Sequence, residues 1–249
     1  MIVLRSQREI EKIRKACLIV AEILERLREH VQPGITTWDL NALREELAAK
    51  HNAKPAFKGY HGYPFALCTS VNEEVVHGMP SKHRQLKEGD IISIDFGVNL
   101  NGYYGDAAIT VPVGKISNEA EELCRVTEDA LYEGIRQILP RNRLSDISHA
   151  IQQYVEARGF SVVREFVGHG IGQQLHESPQ IPNYGPAGKG VILKPGMVFA
   201  IEPMINQGCA EVEILDDRWT AVTVDRKVSA HFEHTVVVTE NEPDILTKR

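Results

Sequence analysis

Little in this sequence invites a membrane, a disulfide framework or a nucleic acid. No apolar run approaches the ~20 residues that a membrane-spanning helix needs. The opening stretch, Met1-Ile2-Val3-Leu4-Arg5-Ser6-Gln7-Arg8-Glu9, is too poor in apolar residues to serve as the core of a secretory signal. Cysteine is scarce: Cys17, Cys68, Cys124 and Cys209 lie far apart with no Cys-x-x-Cys spacing, which argues against a zinc ribbon or a redox dithiol. Cys17 and Cys124 fall within helical patterns and read as core packing. Basic residues are the minority, 28 Lys and Arg against 34 Asp and Glu, and the net charge of −6 is spread along the chain. No basic field therefore recommends nucleic acid or an anionic membrane. Linker-like Pro/Ser-rich tracts are absent as well. The expectation is a cytoplasmic chain whose 249 residues, 43% hydrophobic, can bury a substantial core.

What the chain does have is an internal echo. Leu86-Lys87-Glu88-Gly89-Asp90-Ile91-Ile92-Ser93-Ile94-Asp95 aligns with Leu193-Lys194-Pro195-Gly196-Met197-Val198-Phe199-Ala200-Ile201-Glu202 at an offset of 107. The Leu-Lys pair, the turn glycine, the apolar run and the closing acid coincide. Upstream, Pro33, Asp39 and Leu40 fall on Pro140, Asp146 and Ile147; downstream, Asp106-Ala107-Ala108 resembles Glu233-His234-Thr235 at an offset of 127. The economical reading is one domain over 1–249 made of two related halves, about 1–115 and 116–249. A single pair of copies is a duplication, not a solenoid.

Ser6-x-x-Glu9 is a capping box followed by Ile10, Ile13, Cys17, Val20, Leu24 and Leu27 at helical spacing. This predicts a first helix ending before Pro33-Gly34 and a second from about Thr37. The later half repeats the pair, opening at Asn118 and lining its second helix with Leu144, Ile147, Ile151 and Val155 up to Gly159. Segments 65–76, 91–98, 103–113, 160–167, 197–205 and 233–239 read as strands. Two helices followed by several strands, twice over, favour an α+β fold over a doubly wound parallel sheet.

Each half ends apolar strands in acids. An isolated buried carboxylate is costly, and four converging ones, Asp95, Asp106, Glu202 and Glu233, would repel one another unless cations neutralised them. With His169 they make an oxygen-rich set bearing one imidazole, suited to two divalent ions such as Mn(II), Fe(II) or Co(II). Gly168-His169-Gly170-Ile171-Gly172 lacks the register of a dinucleotide loop. Its glycines are expected instead to turn the backbone tightly and bring the imidazole to the metal. His77 and His176 end apolar or glycine-rich segments, whereas His30, His51, His83, His149 and His231 have no such setting and read as structural.

The acids and histidine within Asp95-Phe96-Gly97, Gly105-Asp106, Gly168-His169-Gly170-Ile171-Gly172, Ile201-Glu202-Pro203-Met204 and Phe232-Glu233-His234-Thr235 resemble, in order, the metal-site motifs of the bacterial type I methionine aminopeptidases. Gly59-Tyr60-His61-Gly62-Tyr63-Pro64 extends the match over nearly the whole chain. The resemblance implies a pita-bread fold, two pseudo-symmetric halves of helices on a curved, mainly antiparallel sheet. It makes Asp95, Asp106, His169, Glu202 and Glu233 the ligands of a two-metal centre, with Glu202 taking the proton of the attacking water. His77 and His176 would contact substrate as further catalytic groups. A methionine pocket falls on Tyr60, Tyr63, Cys68 and Trp219. The implied activity removes the N-terminal methionine of nascent proteins when the second residue is small, by attack of a metal-activated hydroxide. It would act as a monomer near the ribosome. Whether a monovalent cation binds near Asn72 and Ser229 is left open.

Two positions depart from the pattern. Phe57 stands where some bacterial relatives carry cysteine, and Leu175 where phenylalanine is common; both bear on the shape of the methionine pocket. Two other readings compete, an Xaa-Pro aminopeptidase or prolidase of the same fold and a non-catalytic binding protein. The first would need a further N-terminal domain, and the second would be expected to have lost ligands.

Overall fold

The computed structural model describes residues 2–248, and helix formation in it follows the capping chemistry. Helix α1 (Gln7–His30) opens at Ser6, whose backbone N–H and hydroxyl both donate to the Glu9 carboxylate at 2.9 and 2.7 Å. Its buried stripe, Ile10, Ile13, Cys17, Val20, Leu24 and Leu27, repeats every three or four residues. Helices α2 (Thr37–Lys50) and α4 (Leu144–Glu156) open alike. Thr36 and Arg143 donate their backbone N–H to Asp39 and Asp146, each at the third helical position, at 2.8 and 2.7 Å. Helix α3 (Asn118–Ile135) is capped by the Ser117 hydroxyl, which accepts from Ala120 N–H.

Among the described residues every strand pairing is antiparallel, in keeping with the expected α+β class. Strand Ile91–Leu100 pairs along its length with Tyr103–Pro112 and, on its other edge, with Cys68–Val71 and Lys54–Pro55. In the second half, Val198–Ile201 lies between His234–Val237 and Gly168–Gly170, with Asp244–Ile245 and Glu177–Ile181 outermost. Helices α1 and α2 bury Val20, Ile23, Leu27 and Leu40 against Ile92, Ile94 and Phe96. Helices α3 and α4 bury Leu123, Val126 and Ile147 against Phe199, Ile201 and Val236. No described helix is long and apolar enough to cross a membrane.

The 107-residue spacing recurs in space. The bridge Thr36–Gln85 has a counterpart in Arg143–Ile192, and Gly89 and Gly196 adopt φ of 95° and 92° at the two strand entries. The halves meet along Tyr103–Pro112. There Ala108 bridges Glu233, and the Thr110 hydroxyl donates to the His231 carbonyl while accepting from its N–H, at 2.8 and 2.9 Å.

Several strands differ from the sequence reading. Segment 65–76 is two strands, Cys68–Val71 and Glu74–Val76, turned at Asn72 with φ 57°. Segment 197–205 breaks at Glu202-Pro203, because proline has no N–H to continue the ladder. Segment 160–167 contributes only Ser161–Val162. Strands Glu177–Ile181, Val212–Ile214, Ala221–Thr223 and Ser229–His231 carry no marked alternation and were not anticipated.

Candidate metal centre and cleft

The seam between the halves collects the acids. Asp95 and Asp106 lie on adjacent strands, with Asp106 directly opposite Gly97 and Asp95 opposite Ala108 and Cys68. Gly105 lets the backbone of α1 press on the strand at Asp106, since a Cβ there would sit 2.6 Å from the Cys17 nitrogen. Glu202 follows the end of its strand, and Glu233 immediately precedes His234–Val237, its N–H donating to the Ala108 carbonyl at 2.9 Å. Thr235 clamps the seam beside them: its hydroxyl donates to the Asp106 carbonyl at 2.7 Å and accepts from the Asp106 N–H at 3.3 Å.

His169 lies in Gly168–Gly170, and the expected tight turn is not there. Both glycines are extended within the strand. They are needed because a Cβ on Gly168 would meet the Ala200 carbonyl oxygen at 2.5 Å and one on Gly170 the Ser178 carbonyl oxygen at 2.4 Å. Neighbouring backbone, not a bend, demands the missing side chains. The His169 Nδ1 lies 3.0 Å from the Gly170 carbonyl. A proton donated there leaves Nε2 as the lone pair, 3.4 Å from Glu202 Oε1.

Asp106, His169 and Glu233 each offer a ligand atom within 4.8 Å of the other two. Glu202 joins through His169, and Asp95 lines the same cavity. Buried oxygens of Asp95, Asp106 and Glu233 have no hydrogen-bond partner. Burial pushes the Asp95 carboxyl up to about 7. Burial, and then neighbouring carboxylates, hold Asp106, Glu202 and Glu233 well above the ordinary carboxylate range. Burial lowers His169 to about 3, so its imidazole is neutral and free to ligate. Orphaned oxygens, crowded acids and a neutral imidazole fit hard divalent cations.

The same cavity, about 190 Å³, has a second wall made of Tyr60, Tyr63, Cys68 and Trp219. The Tyr63 hydroxyl donates between the Leu67 and Gly78 carbonyls, 3.1 Å from each, and its ring packs edge-on against Trp219 at 5.2 Å. Burial and the Asp95 carboxylate keep the Cys68 thiol well above its ordinary pKa, hence neutral. Phe57 and Leu175, the two departures from the family pattern, line this cavity too. His176 Nδ1 lies 2.8 Å from the Tyr60 hydroxyl, and its ring packs edge-on to His169 at 4.2 Å. His77, at φ 62°, stacks edge-on with Phe166, and burial lowers it to about 4.

The eleven residues that the family resemblance assigns to metal, catalysis or the methionine pocket thus face one cavity, whereas Asn72 and Ser229 lie outside it. Sequence reasoning missed the outer cleft of about 510 Å³, where Phe166 and Met204 continue the wall beyond His77 and His176. It also set aside His231, which is buried with Nε2 unpartnered, 4.0 Å from Glu202 Oε2. The adjacency of residue 231 to Phe232-Glu233 was the only signal available. Asn72 and Ser229 do meet, through the Ser229 N–H and the Asn72 carbonyl at 2.9 Å.

Comparison with known proteins places this geometry in context. The sequence pattern of metallopeptidase family M24 matches residues 11–240. The chain is 56% identical to methionine aminopeptidase 1 of Bacillus subtilis over 248 residues, covering 100% of both, and 55% identical to the methionine aminopeptidase of Clostridium perfringens, covering 99% of both. The crystal structure of methionine aminopeptidase from Thermotoga maritima superposes with a TM-score of 0.99 at 52% identity over 100% of each chain.

Proposed function

The chain belongs to metallopeptidase family M24, among its bacterial-type methionine aminopeptidases, and from that premise we propose how its residues divide the work. The reaction is hydrolysis of the first peptide bond of a polypeptide beginning with methionine, when the second residue is small. What supports this reading is the juxtaposition, in one cavity of the pita-bread fold, of a carboxylate–histidine cluster and an aromatic wall closed by a neutral thiol.

Asp95, Asp106, His169, Glu202 and Glu233 would hold two divalent ions, of which Fe(II), Mn(II) and Co(II) suit the oxygen-rich set best. Such ions, when bound, supply Lewis acidity and make water nucleophilic near neutral pH. Glu202, whose carboxylate lines the cavity beside His169, accepts a proton from the attacking water. His176 Nδ1 lies 2.8 Å from the Tyr60 hydroxyl; in the tautomer that accepts from this hydroxyl, the proton of the neutral ring is on Nε2, directed at the oxyanion of the tetrahedral intermediate. His77, which lines the same cavity, contacts the scissile amide. Tyr60, Tyr63, Cys68 and Trp219 enclose the methionine side chain, whose thioether suits aromatic edges and a soft, uncharged sulfur. Phe166 and Met204 crowd the position of the second residue, so a bulky side chain there moves the scissile bond out of attack geometry.

We also read the chain as a cytoplasmic monomer acting on nascent chains near the ribosome, on the family resemblance alone. The halves 1–115 and 116–249 read as an internal duplication, supported by the paired bridges and strand-entry glycines 107 residues apart. The test is hydrolysis of Met-Ala-Ser, Met-Leu-Ser and an Xaa-Pro peptide by metal-free protein titrated anaerobically with Fe(II), Mn(II), Co(II) and Zn(II). Metal-dependent cleavage of Met-Ala-Ser alone is expected. Equal turnover of Met-Leu-Ser overturns the small-residue preference, and preferred turnover of the Xaa-Pro peptide overturns the assignment.

A further inference from the structure

Arg5 precedes α1, far in sequence from the cleft, yet its side chain is 4% exposed and its guanidinium pairs with the Glu177 carboxylate. Glu177 is the residue after His176. Its Oε2 takes the contact from Arg5, while its Oε1 accepts the backbone N–H groups of Gln173 and Gln174 at 2.8 and 3.0 Å. One carboxylate therefore folds the loop 173–177 around itself, and Arg5 holds that carboxylate. The guanidinium also lies flat on the residue just before that loop: a Cβ on Gly172 would sit 2.4 Å from Arg5 Nη2, so any side chain there would displace it.

The remaining ties fix the latch at both ends. The Arg5 N–H donates to the Gly196 carbonyl at 2.8 Å, and Arg5 Nη1 lies 3.5 Å from Glu9 of the α1 capping box. The Gly172 carbonyl accepts from Tyr104 N–H at 2.8 Å, two residues before Asp106. A buried ion pair is a poor way to gain stability, because desolvation of both charges offsets most of their attraction. Its effect here is geometric. The Arg fork constrains direction as well as distance, and the loop it constrains carries Leu175 and His176 into the cavity.

We propose that Arg5 is a positioning residue for the cleavage step, holding His176 in register with the reacting carbonyl through Glu177. The inference rests on the reading of His176 as oxyanion donor. It predicts that Arg5→Met lowers kcat for Met-Ala-Ser by about tenfold with KM changed by less than about twofold, since displacement by a fraction of an ångström costs rate before it costs binding. Arg5→Lys, which keeps one charged contact, should recover part of the loss, and Glu177→Gln should reproduce it.

The test is a double-mutant cycle. In a His176→Ala background, Arg5→Met should lower kcat by less than about twofold further, because the group it positions is gone. Hydrogen exchange of the metal-free protein supplies a second readout: amides of 173 and 174 should exchange faster in Arg5→Met while those of α1 hold. Equal kcat losses in both backgrounds, or unchanged exchange at 173 and 174, overturn the positioning role while leaving His176 in place. An unchanged kcat in His176→Ala alone overturns the donor role, and the latch with it.

Discussion

Replacing Thr235 with valine isolates the one hydroxyl that clamps Asp106 across the seam. The side chain is fully buried, and valine preserves its shape and β-branching while removing the bonds to the Asp106 carbonyl at 2.7 Å and N–H at 3.3 Å. An orphaned buried carbonyl costs about 1–3 kcal/mol, and the longer N–H contact adds less, for a total of about 2–3 kcal/mol. For a chain of this size each kcal/mol moves the melting temperature by about 2–4 °C, so the metal-free valine variant should melt about 4–12 °C lower. Thr235→Ser separates hydroxyl from methyl. It keeps both bonds and loses a buried methyl worth about 1 kcal/mol, or about 2–4 °C. Scanning calorimetry of the three metal-free proteins should order them threonine, serine, valine. Metal content after dialysis should fall in the valine variant, because Asp106 loses its anchor. A valine variant melting at or above serine would refute the clamp.

Three further outcomes are expected. His176→Ala should lower kcat by about 10²–10³-fold, the usual loss for one oxyanion donor, with metal content intact; loss of metal from that variant would show the role misassigned. The metal-free protein should lose stability as pH rises from about 6.5 to 8.5. There the folded state holds protons on carboxyls raised by burial, Asp95 to about 7 and Asp106, Glu202 and Glu233 well above the ordinary carboxylate range, that the unfolded chain has already released. Below that window four histidines, His169 and His231 held near 3 and His77 and His234 near 4, act in the opposite sense and offset the four carboxyls, so the fall is concentrated in the upper range. Mn(II) should abolish it, and melting temperatures that stay flat or rise between pH 6.5 and 8.5 without metal would contradict the argument. Finally, an imidazole present on one side of the centre and absent from the other should make metal binding sequential in calorimetry, with His169→Ala removing the tighter step; a tight step surviving that substitution would count against the asymmetry.

The helices were legible because their signals are local. Ser6 with Glu9 satisfies orphan N–H groups within one turn, as the capping box in the sequence announces; the third helix, expected to open with Asn118-x-x-Glu121, is instead capped one residue earlier by Ser117, which accepts from Ala120 N–H. The acids were legible for a different reason. An apolar run that ends in a carboxylate conflicts with itself unless something outside the run resolves it, and that conflict marked Asp95 and Glu202 in sequence order. In the structure they line one cavity with Asp106, His169 and Glu233.

Other features depend on distant partners. Glycines beside His169 suggested a turn, but their reason lies in carbonyls of Ala200 and Ser178 on neighbouring strands. Short strands such as Ser229–His231 form because a long-range register places them beside Met204–Asn206, not because three residues prefer extension. His231 became a neighbour of Glu202, and Arg5 of Glu177, only when segments far apart in the chain were packed together. By itself the sequence determined where the helices lie to within about a residue and which apolar runs end in acids, because capping, periodicity and the cost of a buried charge act over a few residues. The tertiary structure decided which of those groups meet, which lone pairs stay free and what holds the His176 loop, because burial and close backbone contact are set by the packing of whole elements.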